Sequence, residues 1–290
     1  MDGLVAVELD RRALLRIGGP DRTGFLQNLV SADISRVASG HAVWSALLTP
    51  QGKYLADFFI YPAEDSFLLD TEVEFAADLQ RRLTLYRLRA KVTIEQPDPA
   101  LRVFALLGDG AAAAVDLPAE PGACRSLAGG IAAVDPRPVD LGVRLVGERM
   151  PELPTARPGS FADWDRARLL AGVPDGTRDL VVEKTTLLEA GFDELGGVDF
   201  AKGCYVGQEL TARMKYRGLL KKRLLPVEIE GETPPLGTPL MGADGREAGE
   251  MRSACGELGL ALVRLEALDQ ELTAGASRLR VRRPAWLPPG

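Results

Sequence analysis

Cys204 stands in the run Lys202-Gly203-Cys204-Tyr205-Val206-Gly207-Gln208-Glu209, with a lysine two residues before it and a glycine on either side within three residues. The thiolate, not the thiol, is the nucleophile and the metal ligand, and a neighbouring cation favours it. Glycines so placed let the backbone adopt unusual conformations or approach a ligand closely. A free cysteine is also a common inert core residue, yet Lys202, Gln208 and Glu209 would make burying this stretch costly. The residues point to an accessible functional thiol, acting either as a redox group or as a transient metal ligand.

Two carboxylates and a basic run could share in the chemistry. Glu189, in Leu187-Leu188-Glu189-Ala190-Gly191, could accept paired hydrogen bonds from a planar, guanidinium-like edge. Asp57 lies in a strand-like run with Leu55, Phe58, Phe59 and Ile60. An uncompensated carboxylate is expensive in such company, so Asp57 is either a functional acid or an edge-strand acid facing water. Arg213, Lys215, Arg217, Lys221, Lys222 and Arg223 suit an acidic ligand, a solvated face, or the phosphate backbone of a tRNA. Asp33, after a helix, reads as a turn former.

The string K-G-C-Y-x-G-Q-E at 202–209, with R-x-K-x-R-G at 213–218, resembles the signature of the YgfZ family of folate-binding proteins. That family includes mitochondrial iron–sulfur maturation proteins and is related to the glycine-cleavage T-protein, an aminomethyltransferase. The resemblance runs back through Gly197-Val198-Asp199-Phe200 and Leu187–Gly191 to Tyr86–Val92 and Leu48-Thr49-Pro50-Gln51-Gly52-Lys53, and weakens after Arg223. It implies a T-protein-like fold and tetrahydrofolate, or a derivative, as cofactor. It also implies transient partnership with iron–sulfur assembly proteins or client enzymes, including tRNA-modifying ones.

By that resemblance Glu189 hydrogen-bonds the pterin, Asp57 is the remaining one of two acids, and Tyr205, Lys202, Gln208, Arg213 and Arg217 complete the folate contacts. Trp44, Phe192, Phe200 and Tyr205 are the aromatic residues available as walls. The transferases carry two adjacent acids where this chain has Ala56-Asp57. The missing acid favours an accessory iron–sulfur factor over the alternative, a folate-dependent aminomethyl transferase.

The elements that must position these residues are read next. The alternation from Leu4 to Ile17 predicts a hairpin. A helix follows near Phe25–Val30, then strands at 42–48 and 54–61 joined by the Thr49–Lys53 turn. Further strands fall at 67–70, 91–95 and 103–107, with helices at 73–85, 111–114 and 161–170; on the last, Arg166 and Arg168 take the solvated side. Proline- and glycine-rich stretches at 118–130 and 151–158 read as boundaries or surface connections. After Arg223, short apolar runs between glycine turns predict a small β-barrel.

The expected class is α+β: antiparallel sheets with helices plus a C-terminal barrel. At 290 residues the chain should divide, and we expect residues 1–48 with 140–220 as a discontinuous folate-binding domain, 49–139 as an α+β domain, and 221–290 as the barrel. A net charge of −6 argues against wholesale coating of nucleic acid. One histidine and three scattered cysteines supply no resident metal or disulfide set. With no membrane-length apolar run and no leader-like start, the expectation is a cytoplasmic protein that binds no membrane.

Overall fold

Seventeen strands and six α-helices are seen among the described residues, 3–288, of the computed structural model. The first sheet comprises β1 (Leu4–Glu8), β7 (Arg102–Leu107), β8 (Cys124–Leu127), β9 (Gly130–Val134), β10 (Val143–Gly147) and β11 (Ala156–Pro158). The second comprises β2 (Arg12–Gly18), β3 (Val43–Leu48), β4 (Tyr54–Ala63), β5 (Ser66–Glu72) and β6 (Thr93–Glu95). Six more strands close a barrel: β12 (Lys222–Glu230), β13 (Pro239–Met241), β14 (Glu247–Cys255), β15 (Leu258–Arg264), β16 (Glu271–Ala274) and β17 (Ser277–Val281). The helices are α1 (Arg22–Gln27), α2 (Ser35–Ala38), α3 (Val73–Arg87), α4 (Phe161–Ala171), α5 (Gly176–Asp179) and α6 (Gln208–Arg217).

Strand order is β11-β1-β7-β10-β9-β8 in the first sheet and β3-β4-β5-β2-β6 in the second, antiparallel except where β11 joins β1. The α+β class and the C-terminal barrel are as the sequence implied. Some local expectations are corrected. The run from Leu4 to Ile17 is not a hairpin: β1 pairs with β7 while β2 pairs with β5, so the short link at Asp10 carries the chain from one sheet to the other. Strand pairing also crosses the expected boundary between residues 48 and 49, since β3 and β4 are adjacent strands of the second sheet.

Alternation explains the barrel. Along β12, Val227 and Ile229 point inward and Glu228 and Glu230 outward, and the inward set packs with Leu240, Met251, Val263, Leu272 and Leu279. Arg278 and Arg280 of β17 face solvent, alternating with buried Ser277 and Leu279. The proline- and glycine-rich stretches at 118–130 and 151–158 contribute two short strands, β8 and β11, where boundaries or surface connections were expected.

A single apolar cluster ties the two sheets to the segment that bears the motif. Val5, Trp44, Tyr61, Val103, Trp164, Leu187, Phe192 and Tyr205 all belong to it. Burying such side chains is worth about 1.5–3 kcal/mol each, so the loop around the thiol is anchored by its own neighbours.

Candidate functional site

Cys204 is exposed, while Cys124 and Cys255 are half-buried. The loop that presents it is fixed from both sides. Val206 donates its N–H to the Asn28 carbonyl at 3.1 Å, and Tyr205 N–H donates to Oε1 of Gln208 at 3.1 Å, closing a turn just before α6. Gln208 is thus a structural acceptor in this loop. Tyr205 is buried in the core, which anchors the residue next to the thiol.

Lys202 is turned away from the role its spacing suggests. Its Nζ donates to the carbonyls of Val30 at 2.5 Å and Ala32 at 2.6 Å, stapling the thiol loop to the chain after α1. Burial pulls its ammonium down to about 8, against the opposing pull of Asp33 and Asp199. Asp33 itself accepts from Ser35 and Gln27 and shapes the turn into α2.

The Thr49–Lys53 turn packs under this loop. A Cβ on Gly52 would lie 2.6 Å from Leu210 Cβ and 2.7 Å from the Gly207 carbonyl oxygen. Both glycines have φ of +81°, a region other residues enter only at a cost.

Asp57 is buried on β4, between β3 and β5, which excludes the edge-strand reading. Its carboxylate accepts from Trp44 Nε1 at 2.9 Å and from the Tyr54 hydroxyl at 2.6 Å. It borders a crevice of about 30 Å³ lined also by Arg12, Glu72, Arg144, Trp164 and Asp175. That is room for about two water molecules.

Charged side chains fill the space around the crevice. Asp70 receives Arg12 Nε at 2.6 Å, Arg144 Nη2 at 2.7 Å and the Tyr61 hydroxyl at 3.0 Å. Burial opposes its charge, and the two guanidiniums overcome it, holding the carboxyl below its ordinary range. Arg144 also lies 3.8 Å above the Phe59 ring. Arg168, expected on a solvated face, is buried and bonded to Asp165, Asp179 and Ser253, joining α4 and α5 to the barrel.

Glu189 sits elsewhere. Its Oε2 accepts from Thr186 N and Oγ1 at 3.1 and 2.7 Å, and it borders a hollow of about 280 Å³ with Lys184, Lys222, Glu250 and Arg252, at the seam with the barrel. No aromatic side chain lines that hollow. Trp44 and Phe192 stack on each other at 3.9 Å, fully buried, and serve as core. Phe200 packs edge-on against Tyr216 at 6.0 Å.

Arg213 and Arg217 lie on the exposed side of α6, Arg213 4.0 Å from Glu209. The residues that the resemblance gathers around one pterin therefore stand in separate places: Asp57 at the crevice, Glu189 at the seam, and Lys202, Tyr205 and Gln208 within the thiol loop. They do not fit a folate held among them all, and the crevice is about a tenth of the roughly 300 Å³ at which ligand pockets begin.

Sequence reasoning missed Arg12, Tyr61, Asp70 and Arg144 as a buried network, and Glu72 with Asp175. The available signal was charged residues recurring inside apolar strand runs, as at Asp70 in Phe67-Leu68-Leu69-Asp70. Among the described residues no three His, Cys, Asp or Glu side chains converge as a metal site.

A body of two sheets with helices, a closed C-terminal barrel and an exposed thiol on a glycine-locked loop define an α+β scaffold that displays a cysteine. Residues 221–289 match the family model described as CAF17, C-terminal beta-barrel domain. The chain is 36% identical over 311 residues to the iron-sulfur cluster assembly factor IBA57, mitochondrial, of Homo sapiens, covering 97% of this chain and 84% of that protein. The Mus musculus counterpart is 34% identical, with 91% and 78% covered. The chain belongs to the IBA57 family of iron–sulfur cluster assembly factors, a narrower placing than the YgfZ resemblance alone.

In structure it is similar to the glycine cleavage system aminomethyltransferase T of Bartonella henselae. The TM-score is 0.81 and the identity 16%, over 98% of this chain and 86% of that one, a likeness of fold. The cytoplasmic expectation is overturned: these relatives are named as mitochondrial proteins, and they point to that compartment. Among the described residues no helix is long and apolar enough to cross a membrane.

Proposed function

We propose that this protein supports iron–sulfur cluster assembly in client proteins, with the Cys204 sulfur as a transient ligand to a cluster held jointly with a partner. The observation that carries the reading is the exposure of Cys204 on a loop anchored on both sides of it: Lys202 by two carbonyls, Tyr205 in the core, Gly207 against Gly52. Rigid presentation lowers the entropy lost when a ligand atom is fixed in a complex. On ligation the thiol releases its proton to solvent and the thiolate sulfur binds iron. The cluster is cargo, and its other ligands come from the partner.

Client enzymes that modify tRNA belong to this reading through the family resemblance. No step of it runs through tetrahydrofolate, because the residues assigned to that cofactor do not meet in one cavity. The transferase alternative loses support on two counts: one acid of the pair is absent at Ala56, and Asp57 is already bound by Trp44 and Tyr54.

The test is complementation in cells lacking their own copy. Cys204→Ala should fold normally yet fail to restore the activity of iron–sulfur client enzymes. Full restoration by that variant would remove the thiol from the mechanism.

A further inference from the structure

Residues 202–223 carry seven lysines and arginines against one acid, Glu209, in a chain whose net charge is −6. Several of those cations are already engaged. Lys202 points inward, Lys215 is paired with Asp193, and Arg223 is paired with Glu194 at 2.8 Å. Among the described residues no ion pair is seen for Arg217 or Lys221, and Arg213 has only the distant, solvated contact with Glu209. A helix brings residues three and four apart onto one face, so Glu209, Arg213, Tyr216 and Arg217 share the solvent side of α6, opposite buried Thr211 and Met214.

Two large apolar side chains stand open on that face: Tyr216 is 74% exposed and Leu219, in the turn after the helix, 45%. Tyr216 is propped by the Phe200 ring, so it stands in a defined position. An aromatic with a polar tip, ringed by arginine and lysine, has the composition of an interface hot spot with a charged rim. The groove of about 930 Å³ between α4 and the barrel is larger, but its charges largely answer one another, Arg166 with Glu257, Arg278 with Glu271 and Arg282 with Glu228, and its four arginines stand against five acids.

We propose that the solvent face of α6 and the turn after it, centred on Tyr216 and Leu219 and rimmed by Arg213, Arg217 and Lys221, is the docking surface for an acidic, cluster-carrying protein. This rests on the reading of Cys204 as a ligand thiol, since α6 begins four residues after it and the docked partner would meet the sulfur. Charge complementarity of this kind steers encounter and sets orientation. Three open cations are few for a nucleic acid, whose binding typically draws on some six to ten phosphate contacts. They suffice for an acidic patch on a protein.

The experiment places p-benzoylphenylalanine at position 216 of the full chain, in cells lacking their own copy, and identifies the photo-adduct by mass spectrometry. The expected adduct is a single acidic protein that binds an iron–sulfur cluster, with a yield at least tenfold lower in the Arg217→Glu, Lys221→Glu variant. Absence of an adduct, a basic partner, an RNA adduct, or a yield indifferent to charge reversal would each overturn the proposal. Adding Cys204→Ala separates the two readings. If the adduct persists while client activity falls, both stand; if it persists and client activity is untouched, the thiol reading fails and the surface remains; if it disappears, the surface is overturned.

Discussion

Gly52 and Gly207 meet backbone to backbone: a Cβ built on Gly207 would lie 3.1 Å from Gly52 Cα and would collide with the Thr49 carbonyl and Leu48 Cβ. The two residues are 155 positions apart, one in the β3–β4 turn and one at the N-cap of α6. Their contact sets the thiol loop on the second sheet, so the position of Cys204 is fixed by a turn that carries no reactive group.

Gly207→Ala should therefore cost more than its backbone conformation alone. A left-handed alanine is worth roughly 1–2 kcal/mol of strain, and the collision should raise the loss to about 3 kcal/mol in urea unfolding. Gly218→Ala is the control: φ is +60° and nothing lies within 4 Å of its added Cβ, so only the conformational cost applies. Equal losses in the two variants would mean that the loop gives way without strain.

The Asp70 network invites a second measurement. Arg144→Met removes one of two guanidiniums from a fully buried carboxylate, and breaking a buried pair this way costs about 3–5 kcal/mol because a charge is left short of partners. Arg144→Met combined with Asp70→Asn should be less destabilising than the two single losses added together, since each removes the other's reason for being there. Strict additivity would show that Arg12 and Tyr61 already satisfy Asp70.

The same network marks where the sequence is readable and where it is not. Strand and helix positions from Ala42 to Leu85 follow from period-two and helical patterning with clear turn residues, and the barrel follows from alternation between glycines. The accessible thiol was legible too, because polar flanks and glycines are incompatible with a packed core. Leu4 to Ile17 misled because alternation is local, whereas the choice between pairing within a hairpin and joining two different sheets is made by distant strands. Lys202 misled in the same way: sequence proximity placed its charge beside the thiol, but a flexible four-carbon stem reached two carbonyls 170 and 172 residues away. Asp57 and Glu189 read as one site because a shared ligand was inferred, while their separation is a matter of tertiary packing that no spacing encodes.

Glu72 offers a pH test of the crevice. Both its oxygens face the Thr177 N–H, and burial, then Asp175 and Asp57, push its carboxyl from its ordinary 4.5 up to about 8, with Arg12 opposing. The folded protein thus holds a proton at pH values where the unfolded chain has released it. The stability this contributes is complete below about pH 4.5 and is lost as the pH climbs towards 8. Asp175 shifts the other way, to well below the usual carboxylate range, because Arg168 and Arg178 overcome its burial. Its contribution is lost only as the pH falls below that of an ordinary aspartate, outside the window. Glu72→Gln keeps a neutral group in place at every pH. Between pH 5 and 9 the wild type should therefore lose on the order of 4 kcal/mol relative to the variant in chemical denaturation. Stability curves that run parallel across this range would show that Glu72 is already ionised in the fold, and that the acids of the crevice share no proton.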